Sequence, residues 1–351
     1  MTKPPTQNYG KASGPLLSIK QDFFTKNDEM LAEQLRLGQV YTAQDFRTDC
    51  KCCGQPIEGV DFVKQGIGYI LCPTCSHLNG AHDDSAAFCA AVYTDDSGKQ
   101  YATHYEASDK VAYDDRVRDI YVPKAEFLLG ALEKDGQNPL ELAYADFGAG
   151  SGYFISALMN QGAKHAAGFE VSQAQVDLAR AVNSNVEMTR HDLDETAPLA
   201  SSTRADVVSL IGVLEHLQRP REFLQAVSQN TAVTYLFLSV PLFSPCVFLE
   251  MVFPKIMQRQ LTGGHTHLFT EASLDWMRDE FGFEKTAEWW FGTDMVDLFR
   301  MVQVSMEKST DTKGMTENWV GAFGPVIDAL QLELDKRHLS SEVHQLWRIR
   351  R

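Results

Sequence analysis

Five of the seven cysteines fall between residues 50 and 75, as CKCC and CPTC, while three histidines, His216, His265 and His267, sit downstream in LEHL and GGHTHLF. Thiolates bind borderline-soft cations and imidazoles move protons near neutral pH, so the two sets point to different chemistry. Cys50 and Cys53 form one CxxC and Cys72 and Cys75 another, with eighteen residues between them, the spacing of a structural zinc site. Each pair can turn two thiolates toward one ion, and the intervening GYIL reads as a strand returning the second pair to the first. Gly54 suits the tight turn after the first pair, and Cys52 and His77 are alternative ligands. Four sulfurs leave zinc no open position, so this cluster is expected to brace the fold while the reaction occurs elsewhere. A redox CxxC or a set of buried thiols is the competing reading.

A second group of residues could hold an organic ligand. The apolar run LAYADF leads into Gly148, Gly150 and Gly152, then into a helical pattern carrying Phe154, Ile155, Leu158 and Met159. AAGFE makes a further strand ending at Glu170. Such a strand, turn, helix, strand unit brings a ligand to the carboxyl end of the first strand, where glycines admit it and an acidic residue grips a ribose. The dinucleotide fingerprint GxGxxG requires glycine at position 153, where Tyr153 stands, which argues against a pyrophosphate and for a phosphate-free nucleoside ligand.

With these residues the chain resembles the class I S-adenosylmethionine-dependent methyltransferases, whose first motif looks like ADFGAGSG, Ala145 to Gly152. The resemblance implies that Asp146, Gly148, Gly150, Gly152, Glu170, Asp192, Leu193 and Ile211 bind the donor, with Glu170 on the ribose hydroxyls and Asp192 on the adenine amino group. It implies a fourth strand and helix in DVVSLIGVLEHLQRPREFLQ and a fifth strand in TYLFLSVP. GFEKTAEWW with DLFRMVQVSM would form the closing antiparallel hairpin of seven strands. Upstream, the zinc ribbon and the segment Tyr101 to Leu129 resemble parts of sugar and small-molecule methyltransferases, especially sugar C-methyltransferases, whose long C-terminal domain is missing here.

Methyl transfer from a sulfonium is an in-line displacement that asks the protein mainly to align donor and nucleophile and to exclude water. A hydroxyl or amine acceptor gains from a general base, and His265, His267 and His216 are the candidates, His265 first because Gly263 and Gly264 place it in a loop. Each histidine has a competing structural reading as a hydrogen-bonded or capping residue. Some related enzymes bind a divalent metal through ExxEH, but the first position here is Gly212, so Glu215 is read as structural or as facing the ligand's amino-acid end. Tyr101, Tyr105 and Tyr113 could wall a substrate pocket, and Trp289 and Trp290 read as core at the sheet edge.

The elements that must position these groups alternate apolar strands with helical patterns, which predicts a Rossmann-like, doubly wound α/β sheet beside a small zinc ribbon. The expected division is a polar, solvated lead-in and helix over 1–45, the ribbon over 46–95, connecting helices over 96–139, the donor-binding domain over 140–308 and a helical extension over 309–351. A net charge of -15 disfavours nucleic-acid partners. Tyr235 to Phe253 is apolar but broken by two prolines and Glu250, so it reads as strand, loop and helix with no membrane partner. A cytoplasmic location, a small-molecule acceptor such as a sugar or nucleotide sugar, and a homodimer fit this picture. The rivals are a protein or RNA acceptor, a nucleotide-cofactor oxidoreductase, and a module that recruits a macromolecule.

Overall fold

The computed structural model describes residues 4–93, 110–262 and 265–351. Tyr101 and Tyr105 lie outside the described residues. Among the described residues twelve strands form two sheets. In chain order they are β1 (Thr6–Tyr9), β2 (Phe62–Lys64), β3 (Ile67–Leu71), β4 (Leu78–Gly80), β5 (Ala143–Phe147) and β6 (His165–Glu170). There follow β7 (Glu187–Arg190), β8 (Val207–Ile211), β9 (Tyr235–Pro241), β10 (His267–Leu268), β11 (Phe283–Phe291) and β12 (Glu342–Ile349).

The large sheet has eight strands in the order β1-β11-β12-β9-β8-β5-β6-β7. The order reverses between β5 and β8, which opens a crevice beyond the carboxyl ends of those strands. Helices cover both faces. One core packs Phe147, Leu210, Phe223 and Trp347 in continuity with the ribbon cysteines, and the other packs Leu128, Phe154, Phe237 and Leu346.

Three expectations need correction. The sheet has an eighth strand because the polar lead-in is structured: Thr6–Tyr9 pairs in parallel with β11, Gln7 Nε2 donates to Glu288 at 2.7 Å and Trp289 Nε1 donates to the Gly10 carbonyl at 2.9 Å. DLFRMVQVSM belongs to a helix, Asp294–Lys308, whose buried Asp297, Arg300, Met301 and Val304 follow helical spacing. The antiparallel strand of the closing hairpin is instead β12, inserted between β9 and β11, so the extension is not helical over 342–349. Val343, Leu346 and Trp347 mimic a helical stripe. In a strand buried on both sides, however, Val343 and Trp347 face one core while Leu346 faces the other.

The small sheet runs β10-β4-β3-β2, and β10 comes from far downstream, pairing antiparallel with Leu78 and Asn79. The ribbon is therefore completed by a strand of the domain it leans on. Tyr235 to Phe253 resolves into β9 and the helix Pro245–Val252, and no helix among the described residues is long and apolar enough to cross a membrane.

Candidate active site

The glycine turn follows β5 and enters the helix Tyr153–Asn160. Gly148 and Gly150 both have positive φ, +69° and +55°, for different ends. A Cβ on Gly148 would lie 2.5 Å from Val213, so this glycine allows the turn to pack, whereas a Cβ on Gly150 would meet nothing nearer than 3.9 Å. The room beside Gly150 belongs to a cavity of about 420 Å³ at the crevice, within the range of small-ligand sites.

Asp146, Gly148, Gly150, Glu170, Leu193 and Ile211 line this cavity. The Glu170 carboxylate accepts the amides of Gly150 at 2.8 Å and Ser172 at 2.9 Å, so the strand end and the glycine turn hold each other. Asp146 is buried beside β8 and accepts from Ser209 Oγ at 2.6 Å; burial pushes its carboxyl up to about 7. Two expected donor residues do not line the cavity. Gly152 packs under Val186, and Asp192 caps the turn Leu193–Glu195 and pairs with Arg190 at 2.5 Å, leaving its neighbours His191 and Leu193 on the cavity wall.

Across the cavity stand His216, His265 and Glu215. The two imidazole rings lie 5.0 Å apart, and His216 Nε2 is 3.9 Å from a Glu215 carboxylate oxygen. His265 Nδ1 sits 3.1 Å from the Gln260 carbonyl, which can only accept, so Nδ1 carries the proton and Nε2 is the basic nitrogen. Burial lowers the His265 pKa and keeps the ring neutral at pH 7. Burial also raises the Glu215 carboxyl to about 8, and its Oε2 has no hydrogen-bond partner among the described residues. The three groups offer ligand atoms within 4.8 Å of one another, a donor set that a divalent cation could also use.

His267 is corrected. It is fully buried on β10, does not line the cavity, and meets His77 Nε2 at 2.9 Å, so it ties the ribbon to the domain. His77 is thereby excluded as a thiol-site ligand. Tyr113 is buried too, donating to the Ser151 carbonyl, accepting from Ser156 Oγ and stacking on Tyr153, which with Tyr121 supplies the aromatic wall.

The profile of the methyltransferase-domain family matches residues 116–288, just under half of the chain, and takes in the glycine turn, Glu170, Glu215 and His265. Residues 116–288 are thus similar to methyltransferase domains. Solved structures similar to it include a magnesium protoporphyrin IX methyltransferase from Synechocystis PCC 6803 with bound S-adenosylhomocysteine. The two share 18% identity over 57% of this chain and 90% of that one, with a TM-score of 0.43. The plantazolicin methyltransferase BpumL, also with S-adenosylhomocysteine, is 11% identical over 75% of this chain and 94% of its own, at 0.45. A putative sarcosine dimethylglycine methyltransferase from Galdieria sulphuraria is 13% identical over 72% and 98%, at 0.43. No curated protein matches.

The ribbon reaches the cavity through a loop of the domain. Its four sulfurs, from Cys50, Cys53, Cys72 and Cys75, lie within 4.8 Å of one another, with Cys50–Cys75 and Cys53–Cys72 at 3.6 Å. Bonds of ~2.3 Å to a tetrahedral zinc place sulfurs ~3.8 Å apart, so the cluster fits the ion and is too wide for disulfides. Its two knuckles are alike: Gly54 and Ser76 each have positive φ and return an amide, at 2.9 Å, to the carbonyls of Cys50 and Cys72. Cys52 donates to the Ser273 carbonyl.

From β2, Lys64 reaches into the domain and meets Glu250 at 2.8 Å, both side chains buried. The same carboxylate accepts the amides of Arg259, Gln260 and Leu261 at 2.6, 2.7 and 3.2 Å. Glu250 therefore shapes the loop whose Arg259, Gln260 and His265 line the cavity. Glu250 was visible in the sequence only as an interruption of an apolar run, and nothing local there signals its partner 186 residues away.

Proposed function

We propose that the protein is an S-adenosylmethionine-dependent methyltransferase acting on a small polar acceptor, with sugars and nucleotide sugars as the first class to test. The observation that carries the reading is the single cavity in which the glycine turn and Glu170 face His265 across a space of small-ligand size. A bound S-adenosylmethionine supplies an electrophilic methyl on a sulfonium sulfur. Glu170, preset by two backbone amides, receives the ribose hydroxyls, while Leu193 and Ile211 flank the adenine and Gly150 leaves room for the amino-acid end.

On the acceptor side, His265 Nε2 takes the proton from the acceptor's hydroxyl or amine as its new bond to carbon forms and the carbon–sulfur bond breaks. His216 packs against His265 and keeps that ring facing the cavity. The cysteine cluster holds zinc as a structural ion, and thiols kept reduced for it accord with a cytoplasmic location. Calorimetric titration of S-adenosylhomocysteine into wild type, Gly150→Arg and Glu170→Ala, with NAD as control ligand, tests the donor half. Binding by wild type alone supports the reading, and binding of NAD without S-adenosylhomocysteine overturns it.

A further inference from the structure

Among the described residues two clusters bring three or more metal-ligating side chains together, and they differ in kind. Cys50, Cys53, Cys72 and Cys75 are four thiols, none of which lines the cavity, whereas Glu215, His216 and His265 are a carboxylate and two imidazoles on its wall. A set of four sulfurs fills a tetrahedral ion. Two histidines and one glutamate are a ligand set of zinc sites that keep the fourth position open. Because all three groups line the cavity, that position opens into it.

The fold presets the three ligands. Glu215 and His216 lie in the turn Leu214–His216 just after β8, and Leu214 anchors the turn in the core. His216 Nε2 stands 3.9 Å from Glu215 Oε1. His265 comes from the loop that Glu250 shapes: its Nδ1 donates to the Gln260 carbonyl at 3.1 Å, and the Gln260 amide donates to Glu250 at 2.7 Å. Giving one ring N–H to a backbone carbonyl fixes the tautomer and turns the other nitrogen outward as a ligand, the arrangement that orients metal-bound histidines.

Glu215 supplies an independent sign. It is 3% exposed, and its Oε2 has no partner among the described residues. A buried carboxylate oxygen without a donor is costly, and coordination of a cation removes that cost. The ligand atoms lie within 4.8 Å of one another, and bonds of ~2.0–2.1 Å to a tetrahedral ion set such atoms ~3.4 Å apart, so modest side-chain rotations close the set on an ion.

We propose that Glu215, His216 and His265 form a second metal site, which takes a borderline divalent cation such as zinc and regulates the reaction. His265 Nε2 has a single lone pair. A cation held there and the acceptor's proton compete for it, so metal loading and proton removal by His265 exclude one another. The regulatory consequence rests on the methyltransferase reading; the site itself is tested apart from it.

Zinc is titrated calorimetrically into the full chain with its ribbon zinc in place, counted beforehand by metal analysis, and magnesium, which prefers oxygen ligands, is the control. The expected result is one further zinc per chain and no saturable binding of magnesium. His265→Gln and Glu215→Gln each weaken the second zinc by about 10- to 100-fold or more, since changes outside the ligand shell already cost that much. The exposed His165→Gln matches wild type. A variant counts when it keeps its ribbon zinc and its melting transition, and one that does so decides. A labelling experiment needs no variant: diethyl pyrocarbonate, which acylates the free nitrogen of a neutral imidazole, marks His265 in the chain with ribbon zinc alone and not in the zinc-saturated chain, read by peptide mass. No second zinc, equal zinc binding by His265→Gln and His165→Gln, or His265 labelling unchanged by saturating zinc overturns the site. A chain that binds the second zinc but not S-adenosylhomocysteine overturns the donor reading and leaves the cation site standing, and binding of S-adenosylhomocysteine without a second zinc does the reverse.

Discussion

The two halves of the cavity are built in opposite ways. The donor half comes from one continuous run, Asp146 through Val213, in which each strand end feeds its own turn and the contacts are short in sequence, as between Gly150 and Glu170. The acceptor half is assembled from stretches as far apart as Lys11 and Glu342, and its most important loop is set by a carboxylate that answers to a lysine of the ribbon. A fixed donor can be held by local geometry, whereas an acceptor wall drawn from many elements can be altered piece by piece without disturbing the donor. The ribbon, on this view, is part of the acceptor half although none of its described residues lines the cavity.

Metal removal should divide the two halves most sharply. Structural zinc contributes roughly 10–16 kcal/mol in small zinc domains, so chelation, or Cys72→Ser with Cys75→Ser, should lower the melting temperature strongly. Hydrogen exchange should rise first over residues 256–262 and 265–268, before the glycine turn; equal loosening of both halves would break the comparison. Gly150→Arg should abolish S-adenosylhomocysteine binding while leaving β10 and the ribbon protected. His265→Gln should lower kcat by about 10²- to 10⁴-fold with S-adenosylhomocysteine affinity unchanged. His267→Gln should instead cost stability, and a large kcat loss there would contradict its place on β10.

Glu250→Gln leaves Lys64 buried without its charge partner, which costs about 3–5 kcal/mol. It should raise KM for the acceptor more than KM for the donor. The mildest test is pH. Asp146 titrates near 7 in the folded chain and near 3.9 when unfolded, so the folded chain binds more protons between about pH 4 and 7. Stability of the ligand-free protein should therefore fall as pH rises across that window, and Asp146→Asn should flatten the fall, read from melting temperatures.

What could be read from the sequence follows the same division. The CxxC pairs, the glycine turn and Glu170 are local patterns whose residue types dictate their neighbours, and the structure brings each set together. His265 carried a loop signal and reached the cavity, whereas His267, two residues on, begins a buried two-residue strand paired with β4. Asp192 lies off the cavity wall, its carboxylate engaged in capping its own turn. The C-terminal strand was misread because its apolar spacing fits both a helix and a strand with two buried faces.

The position of β12 also sets a timetable for synthesis. β9 is complete about a hundred residues before the strand that must lie beside it, and β1 waits still longer for β11. At about 5–20 residues per second, β9 spends on the order of 5–20 s with an apolar, unpaired edge after it leaves the ribosome. A ribosome stalled between β11 and β12 would therefore hold a sheet with a missing slat.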